Sequence, residues 1–522
     1  MARSTKPKKL KAFNPATGEQ VGEVQANSPA EVSEAVALAR KVAPEWGAIP
    51  PAGRARILKD VRHRIYNNMD DIVETVATEC GKPRAEALVH DVMPAVMALQ
   101  YFERVAPKAL RPDHPGRIIG PLLGVSSKVE WRPFGVVGCI SPWNYPFQLA
   151  IFAIAPALFA GNTVVLKPSE VTPGVGERLR AVLEGLPPGV ASIVQGGADV
   201  GQALVDAPCD KVCFIGSPAT GRKIAGAAAK HLTPVVMELG GQDAAIVCED
   251  ADVDVASSGV LWGAFLNSGQ TCAAIERAYV VDGVADEFIE RLSSKLAKLH
   301  HEEDGDIGAL TTSAGLDTVT RLVEDSVRNG ATVVAGGPGE VKKGAASGGR
   351  WYPPTILEGR SEEMALFKEE IFGPVLPIVR VRDEAEAVRR ANEDGFSLTA
   401  SVWTGSRARF DRLAGELRAG TISSNDHAST AGAVWTPWGG VGESGYGRIN
   451  GVYGLREFSV PVHVARSLLP NMKKVWWYPY DAATTETLRA VSDAIAAPTV
   501  REKARAVRVM IGSFGRAVKN KL

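Results

Sequence analysis

From residue 135 to 238 the chain alternates short apolar runs with helical stretches, and few architectures accept that order. Strands are predicted over 136–140, 163–167, 191–195, 211–215 and 234–238. Helices are predicted between them, over 147–159, 173–186, 200–206 and 220–230. Apolar strands separated by helices form a parallel sheet covered on both faces. Such a sheet binds ligands at the carboxyl ends of its strands. A second alternating set runs from 244 to 425, with strands over 244–247, 278–281, 332–335, 375–379, 399–402 and 421–424. The fold class is therefore α/β. At 522 residues the chain exceeds one core and divides into domains.

Ahead of residue 135 the pattern is mostly helical. A turn at 13–18 and a strand at 20–24 precede a helix capped by Ser28, with Pro29 in its first turn. Val32, Val36 and Ala39 share one face of it. Further helices are predicted over 53–67, 70–80 and 84–105. The Pro/Gly-rich piece 111–124 ends this pattern, and 125–132 reads as a strand leaving the first domain. Gly-rich loops at 336–349 and 432–447 are the longest irregular pieces.

Composition narrows the function classes. Hydrophobic residues make up 45% and charged residues 23%, a soluble globular balance. A net charge of zero argues against a whole-chain nucleic-acid footprint. The six cysteines, at 80, 139, 209, 213, 248 and 272, form no CxxC pair and no Cys/His cluster. That spacing favours neither a disulfide framework nor a metal site, and free thiols suit a reducing compartment. The basic N-terminus has no apolar stretch behind it, so it does not read as a signal peptide. The run 147–160 carries Gln148 and Pro156 and is too short to span a bilayer. It reads as a buried helix.

Several residues could carry chemistry, and each also has a plain structural reading. Cys272 follows the Gly269-Gln270 turn and has small neighbours, Ala273 and Ala274, that let a reactant reach the sulfur. Most lone cysteines are simply small buried hydrophobes. Gly216 and Ser217 end a strand and open a helix, where backbone N–H groups and the helix dipole suit a phosphate. Glycine there also answers ordinary steric needs. Lys167 and Glu170 follow another strand, placed for ribose hydroxyls or for a solvated ion pair. Asn144, in a proline-fixed aromatic loop with Trp143, is an oxyanion donor or a helix cap. Glu238 ends the last strand of the first sheet between apolar residues and two glycines. If buried it has a raised pKa and suits base catalysis. Glu370 and Phe372 are candidates for a ribose and for a cofactor ring.

Seven segments then occur in one register over 13–464: PWNYPF, KPSE, FIGSPATG, MELGG, GQTC, EEIFGPV and PWGGVGESGYGR. Together they resemble the aldehyde dehydrogenase superfamily. The resemblance implies a Rossmann-like NAD(P)-binding domain over 12–120 and 136–241, and an α/β catalytic domain over 242–433. It implies a small β oligomerisation flap over 121–135 and 434–470, in a homodimer or homotetramer. It assigns Cys272 as nucleophile, Glu238 as general base, and Asn144 with the Cys272 N–H as oxyanion donors. Lys167 and Glu170 match adenosine-ribose contacts, and Gly216 and Ser217 lie at the pyrophosphate. Glu370 matches the nicotinamide-ribose contact, with Phe372 and Trp143 beside it.

The implied reaction converts an aldehyde to a carboxylic acid through a cysteine thiohemiacetal and thioester. Glu170 would repel a 2′-phosphate, so NAD is preferred, with NADP the second option because Lys167 supports it. Val460 stands where many members carry a second glutamate, and Gln242 where many carry lysine. Tyr145, Phe147, Trp262, Phe265 and Trp435 are expected at the substrate entrance, which suits apolar aliphatic or aromatic aldehydes. Succinate-semialdehyde oxidation, a CoA-acylating form and a non-catalytic binding relative are the alternatives.

The extension 471–522 outruns this resemblance. Residues 501–522 set Val507, Met510, Ile511, Phe514 and Val518 at helical spacing. Seven basic residues accompany them, against Glu502 alone. Docking on the enzyme and contact with an anionic membrane are the two readings. A cytoplasmic protein, soluble or peripheral at a membrane surface, is the expected location.

Overall fold

In the structure, a computed structural model, residues 8–116, 124–337, 348–359, 364–393, 395–519 and 521 are described. Parts of the predicted irregular pieces 111–124 and 336–349 lie outside them. Strands β1 (Lys9–Phe13) and β2 (Gln20–Gln25) pair antiparallel, and β3 (Val125–Pro133) pairs with a late strand.

The first large sheet contains β4 (Val136–Ile140), β5 (Thr163–Lys167), β6 (Ala191–Ile193), β7 (Lys211–Gly216) and β8 (Val235–Leu239). These five strands are parallel, in the order β8-β7-β4-β5-β6. Every residue of β4 and β5 is buried, as expected for runs covered on both faces. From β4 the chain winds outward through β5 and β6, then returns to the other side of β4 for β7 and β8. The loops after β4 and β7 therefore part at the point where the winding reverses. That leaves an opening at the carboxyl edge of the sheet.

Gly240 and Gly241 carry the chain directly into the second sheet. It holds β9 (Asp243–Val247), β10 (Ile275–Val281), β11 (Thr332–Ala335), β12 (Thr355–Glu358), β13 (Val375–Val381), β14 (Thr399–Trp403) and β15 (Thr421–Ser424). Their order is β11-β12-β13-β10-β9-β14-β15, and only β11 and β12 pair antiparallel. A short strand β16 (Gly445–Tyr446) returns to the first sheet and pairs antiparallel with β8. The residues just ahead of β10 and β13 thus lie at the amino edge of one sheet. Those just after β4, β5, β7 and β8 lie at the carboxyl edge of the other.

The apolar run 147–160 forms the helix Pro146–Ala160, buried on every side, and Gly161 ends it at φ +104°. The predicted helix 84–105 is instead a turn of α-helix, a π turn over Ala87–Val92 and the helix Met93–Ala109. Within the π turn, Asp91 is fully buried and accepts from the Phe147 and Gln148 N–H groups at 3.1 and 3.2 Å. It also pairs with buried Lys82 at 2.8 Å, and Lys82 donates to the Asn144 carbonyl at 2.6 Å. One ion pair thus fixes both the start of the central helix and the loop before it.

A second compact unit comprises residues 112–130 and 462–522. It takes in most of β17 (Ser459–Ser467), the partner of β3, and a hairpin of helices Ala482–Ala496 and Val500–Lys519.

Asp91→Ala leaves Lys82 buried without its partner. It should lower unfolding stability by about 3–5 kcal/mol, read as an earlier denaturant midpoint; an unchanged midpoint would show that the pair carries no structural role.

Candidate active site

Cys272 sits at the end of an unusual piece of backbone. Asn267, Ser268 and Gly269 are all left-handed, with φ of 53°, 56° and 71°. A Cβ on Gly269 would lie 2.0 Å from the Gly373 carbonyl oxygen, so only glycine fits there. Serine resists this conformation and asparagine tolerates it better, and the surroundings hold both in it. Glu86 accepts from the Asn267 N–H at 3.1 Å, and the Asn267 amide donates to the carbonyls of Asn144 and Gln270. Ser268 donates to the Gly308 carbonyl at 2.9 Å, and the Gln270 side chain accepts from the Thr311 N–H at 2.9 Å. Beyond the cysteine, buried His427 contacts the Ala273 carbonyl at 3.0 Å. Desolvation pushes its pKa down to about 4, so the ring is neutral and Nε2 carries the donated proton.

Two cavities meet at this cysteine. The first, of about 590 Å³, is lined by all ten residues singled out from the sequence. They are Trp143 and Asn144 after β4, Lys167 at the end of β5 and Glu170 beyond it, Gly216 at the end of β7 and Ser217 beyond it, Glu238 in β8, Cys272 ahead of β10, and Glu370 and Phe372 ahead of β13. The second, of about 510 Å³, is lined by Met93, Met97, Tyr145, Phe152, Trp262 and Trp435 among others, and again by Cys272. Of the five residues expected at the entrance, Tyr145, Trp262 and Trp435 lie there. Phe147 and Phe265 do not; they fill two separate apolar cores.

The electrostatics centre on Glu238. Burial pushes its carboxyl up to about 7, opposed by hydrogen bonds from the Cys272 thiol and the Trp438 indole, the latter at 3.4 Å. Burial also holds the Cys272 thiol well above its ordinary range, and the Glu238 carboxylate adds to that. At rest the sulfur is therefore a thiol, beside a carboxyl that exchanges its proton near neutral pH. Asn144 Nδ2 donates to the Gln270 carbonyl at 3.1 Å, which leaves its second N–H available.

The remaining residues line the first cavity in distinct ways. Lys167, buried, pairs with half-exposed Glu170. Ser217 caps the helix Pro218–Ala229 through the Thr220 N–H, and a Cβ on Gly216 would lie 2.6 Å from the Phe214 ring. The Phe372 and Trp143 rings meet edge to face at 5.6 Å. Glu370 accepts from the Gly241 N–H, while its Oε1 is buried and has no partner among the described residues.

The comparisons with known proteins agree with this geometry. Residues 2–464 match the family model described as the aldehyde dehydrogenase family. The chain belongs to the aldehyde dehydrogenase family. It is 37% identical to a 4,4'-diapolycopene aldehyde oxidase of Methylomonas sp., over 93% of this chain and 91% of that one. It is 36% identical to a betaine aldehyde dehydrogenase of Rhizobium etli (strain CIAT 652), over 86% and 92%. A crystal structure of a Mycobacterium tuberculosis aldehyde dehydrogenase complexed with NAD+ superposes with a TM-score of 0.83 at 33% identity. That match covers 90% of this chain and 96% of the other.

In this aldehyde dehydrogenase the structure adds residues that the sequence reading passed over. Trp438 stood inside a quoted motif, but only the fold turns its indole onto Glu238. Glu276, buried in β10, accepts from the N–H groups of Ile371 and Phe372, each at 2.9 Å. It holds Phe372 at a left-handed φ of 49°. An acid inside an apolar strand is the signal that could have found it. Gln242 also acquires a role: its amide donates to the Glu369 carbonyl, tying the double-glycine loop to the loop that carries Glu370.

Trp438→Phe removes a donor to the ionised form of Glu238, so the carboxyl should rise further above 7. The acid limb of kcat/KM against pH should shift upward, with the loss confined to neutral and acidic pH. A parallel loss at every pH would mean that the indole only shapes the pocket.

Proposed function

We propose that this enzyme oxidises apolar aldehydes to carboxylic acids with NAD through a covalent adduct on Cys272. The observation that carries the reading is that Cys272 lines both cavities, one bearing Lys167, Glu170, Glu238 and Glu370 among its lining residues and the other, among the described residues, bearing no Lys, Arg, Asp or Glu. The residues of the first suit a dinucleotide. A buried, unpartnered Glu370 Oε1 is an acceptor for a ribose hydroxyl, and the helix start at Ser217 suits a diphosphate. Lys167 already pairs with Glu170, and that carboxylate disfavours a 2′-phosphate, so NAD is the cofactor. When bound, the dinucleotide supplies the hydride acceptor.

The protein does the rest. Glu238 takes the Cys272 proton as the sulfur attacks the aldehyde carbon. The oxyanion forms against the free N–H of Asn144, a donor of a kind whose loss costs about 2.7–4 kcal/mol. Departure of hydride from the adduct leaves a thioester on Cys272. Glu238, its proton passed to solvent, then deprotonates the water that hydrolyses the thioester and frees the thiol.

The second cavity supports the substrate class. Among the described residues, no Lys, Arg, Asp or Glu lines it, and desolvation pushes His90 down to about 4, which keeps that ring neutral. A distal carboxylate, as in succinate semialdehyde, finds no cation there. The relative named for 4,4'-diapolycopene aldehyde is consistent with an apolar substrate. Indoles of Trp262, Trp435 and Trp438 favour one competing reading, a quaternary ammonium aldehyde held by cation–π contact.

NADH production across decanal, benzaldehyde, betaine aldehyde and succinate semialdehyde tests this, with Cys272→Ala as the inactive control. The apolar aldehydes should exceed succinate semialdehyde in kcat/KM by about a hundredfold or more, since a buried unpaired charge costs several kcal/mol. Preference for succinate semialdehyde or betaine aldehyde would overturn the substrate class, and turnover by Cys272→Ala the mechanism.

A further inference from the structure

The C-terminal hairpin is built with its faces reversed. Helix Val500–Lys519 packs on helix Ala482–Ala496 through small residues: Ala506, Ser513 and Ala517 are buried, and Ser513 meets Thr487 at 2.7 Å. Lys521 secures the end of the tail, donating to the Pro479 carbonyl and to Thr484. Large apolar side chains stay outside. Val500 is 84% exposed, Ile511 69%, Val507 39% and Phe514 37%. Their spacing of seven, four and three residues sets them in one stripe along the helix. A helix usually buries that stripe.

Charge says what the stripe faces. Arg501, Arg505, Arg508 and Lys519 form a second exposed stripe alongside it, and no acidic residue follows Glu502. The chain as a whole is neutral, so this basic excess is local. Within the same unit Trp476, Trp477, Tyr478 and Tyr480 are all exposed, the residue types that settle at a lipid–water boundary. No helix among the described residues is long and apolar enough to cross a bilayer.

We propose that the face of helix Val500–Lys519 carrying Val507, Ile511 and Phe514 docks this enzyme on an anionic phospholipid membrane. The aliphatic stripe enters the acyl boundary and the basic stripe meets the headgroups. This stands apart from the reading of the substrate cavity.

Vesicle flotation of the full chain tests the proposal. It should float with phosphatidylcholine vesicles containing phosphatidylglycerol, not with phosphatidylcholine alone, and raised salt should release it. Ile511→Asp with Phe514→Asp should abolish flotation, and Arg501→Glu or Arg508→Glu should each weaken it about fivefold or more. All should retain turnover of a short, water-soluble aldehyde, which reports the fold independently. The proposal is overturned if the full chain stays with neither vesicle, or if these substitutions leave flotation unchanged. It is equally overturned if Ile511→Asp lowers the sedimenting mass while flotation persists, since the stripe would then be a contact between copies.

Discussion

Glu238, buried, and Cys272, half-buried, bear on each other's protons, and the rest of the site is arranged around that contact. Desolvation works against ionising either group. The carboxyl rises to about 7, where it is poised to accept a proton at neutral pH, while the thiol rises well beyond it. A free thiolate is therefore scarce, and in the proposed reaction the sulfur attacks as the carboxylate takes its proton. In the proposed reaction one base poised near 7 serves better than a pre-ionised sulfur, because it also activates the water that ends the cycle.

Holding that contact requires strain, and the fold distributes it. Three successive left-handed residues precede Cys272, at about 1–2 kcal/mol for Ser268 and less for Asn267 and Gly269. Glu86, Thr311 and the Asn267 side chain hold this backbone from three directions. The Lys82–Asp91 pair ties the Asn144 carbonyl to the start of the central helix, and Asn267 donates to the same carbonyl, so Asn144 and the backbone ahead of Cys272 share one framework. The left-handed Phe372 is held in turn by Glu276. Glu86 and Asp91 stand in and just ahead of the π turn and Glu276 in β10, so the site is held from the helical layer as well as from the second sheet.

Much of this was legible in the sequence. The alternation of apolar runs and helices located nearly every parallel strand, because a strand covered on both faces must be apolar throughout. The candidate residues could be read because each lies at the end of a strand or close beside one. What escaped depends on contacts distant along the chain. Strand β12 is four residues long behind two prolines, and the π turn at Ala87–Val92 differs from α-helix only in its hydrogen bonds. Trp438 and Glu276 act through orientation, which no spacing encodes. Phe147 and Phe265 were expected at the entrance, but a helix rotation decides whether such a ring meets substrate or core, and both meet core.

The most direct measurement of the central contact is the rate of Cys272 alkylation by iodoacetamide against pH, in the native enzyme and in Glu238→Gln. Two effects of the carboxylate compete: it repels a thiolate, and it removes the thiol proton. If proton removal governs, the native rate rises through an inflection near 7, and Glu238→Gln reacts more slowly at neutral pH and gains only in alkali. If Glu238→Gln reacts as fast as the native enzyme or faster at neutral pH, the carboxylate merely opposes the thiolate, and its role as the base that activates Cys272 is contradicted.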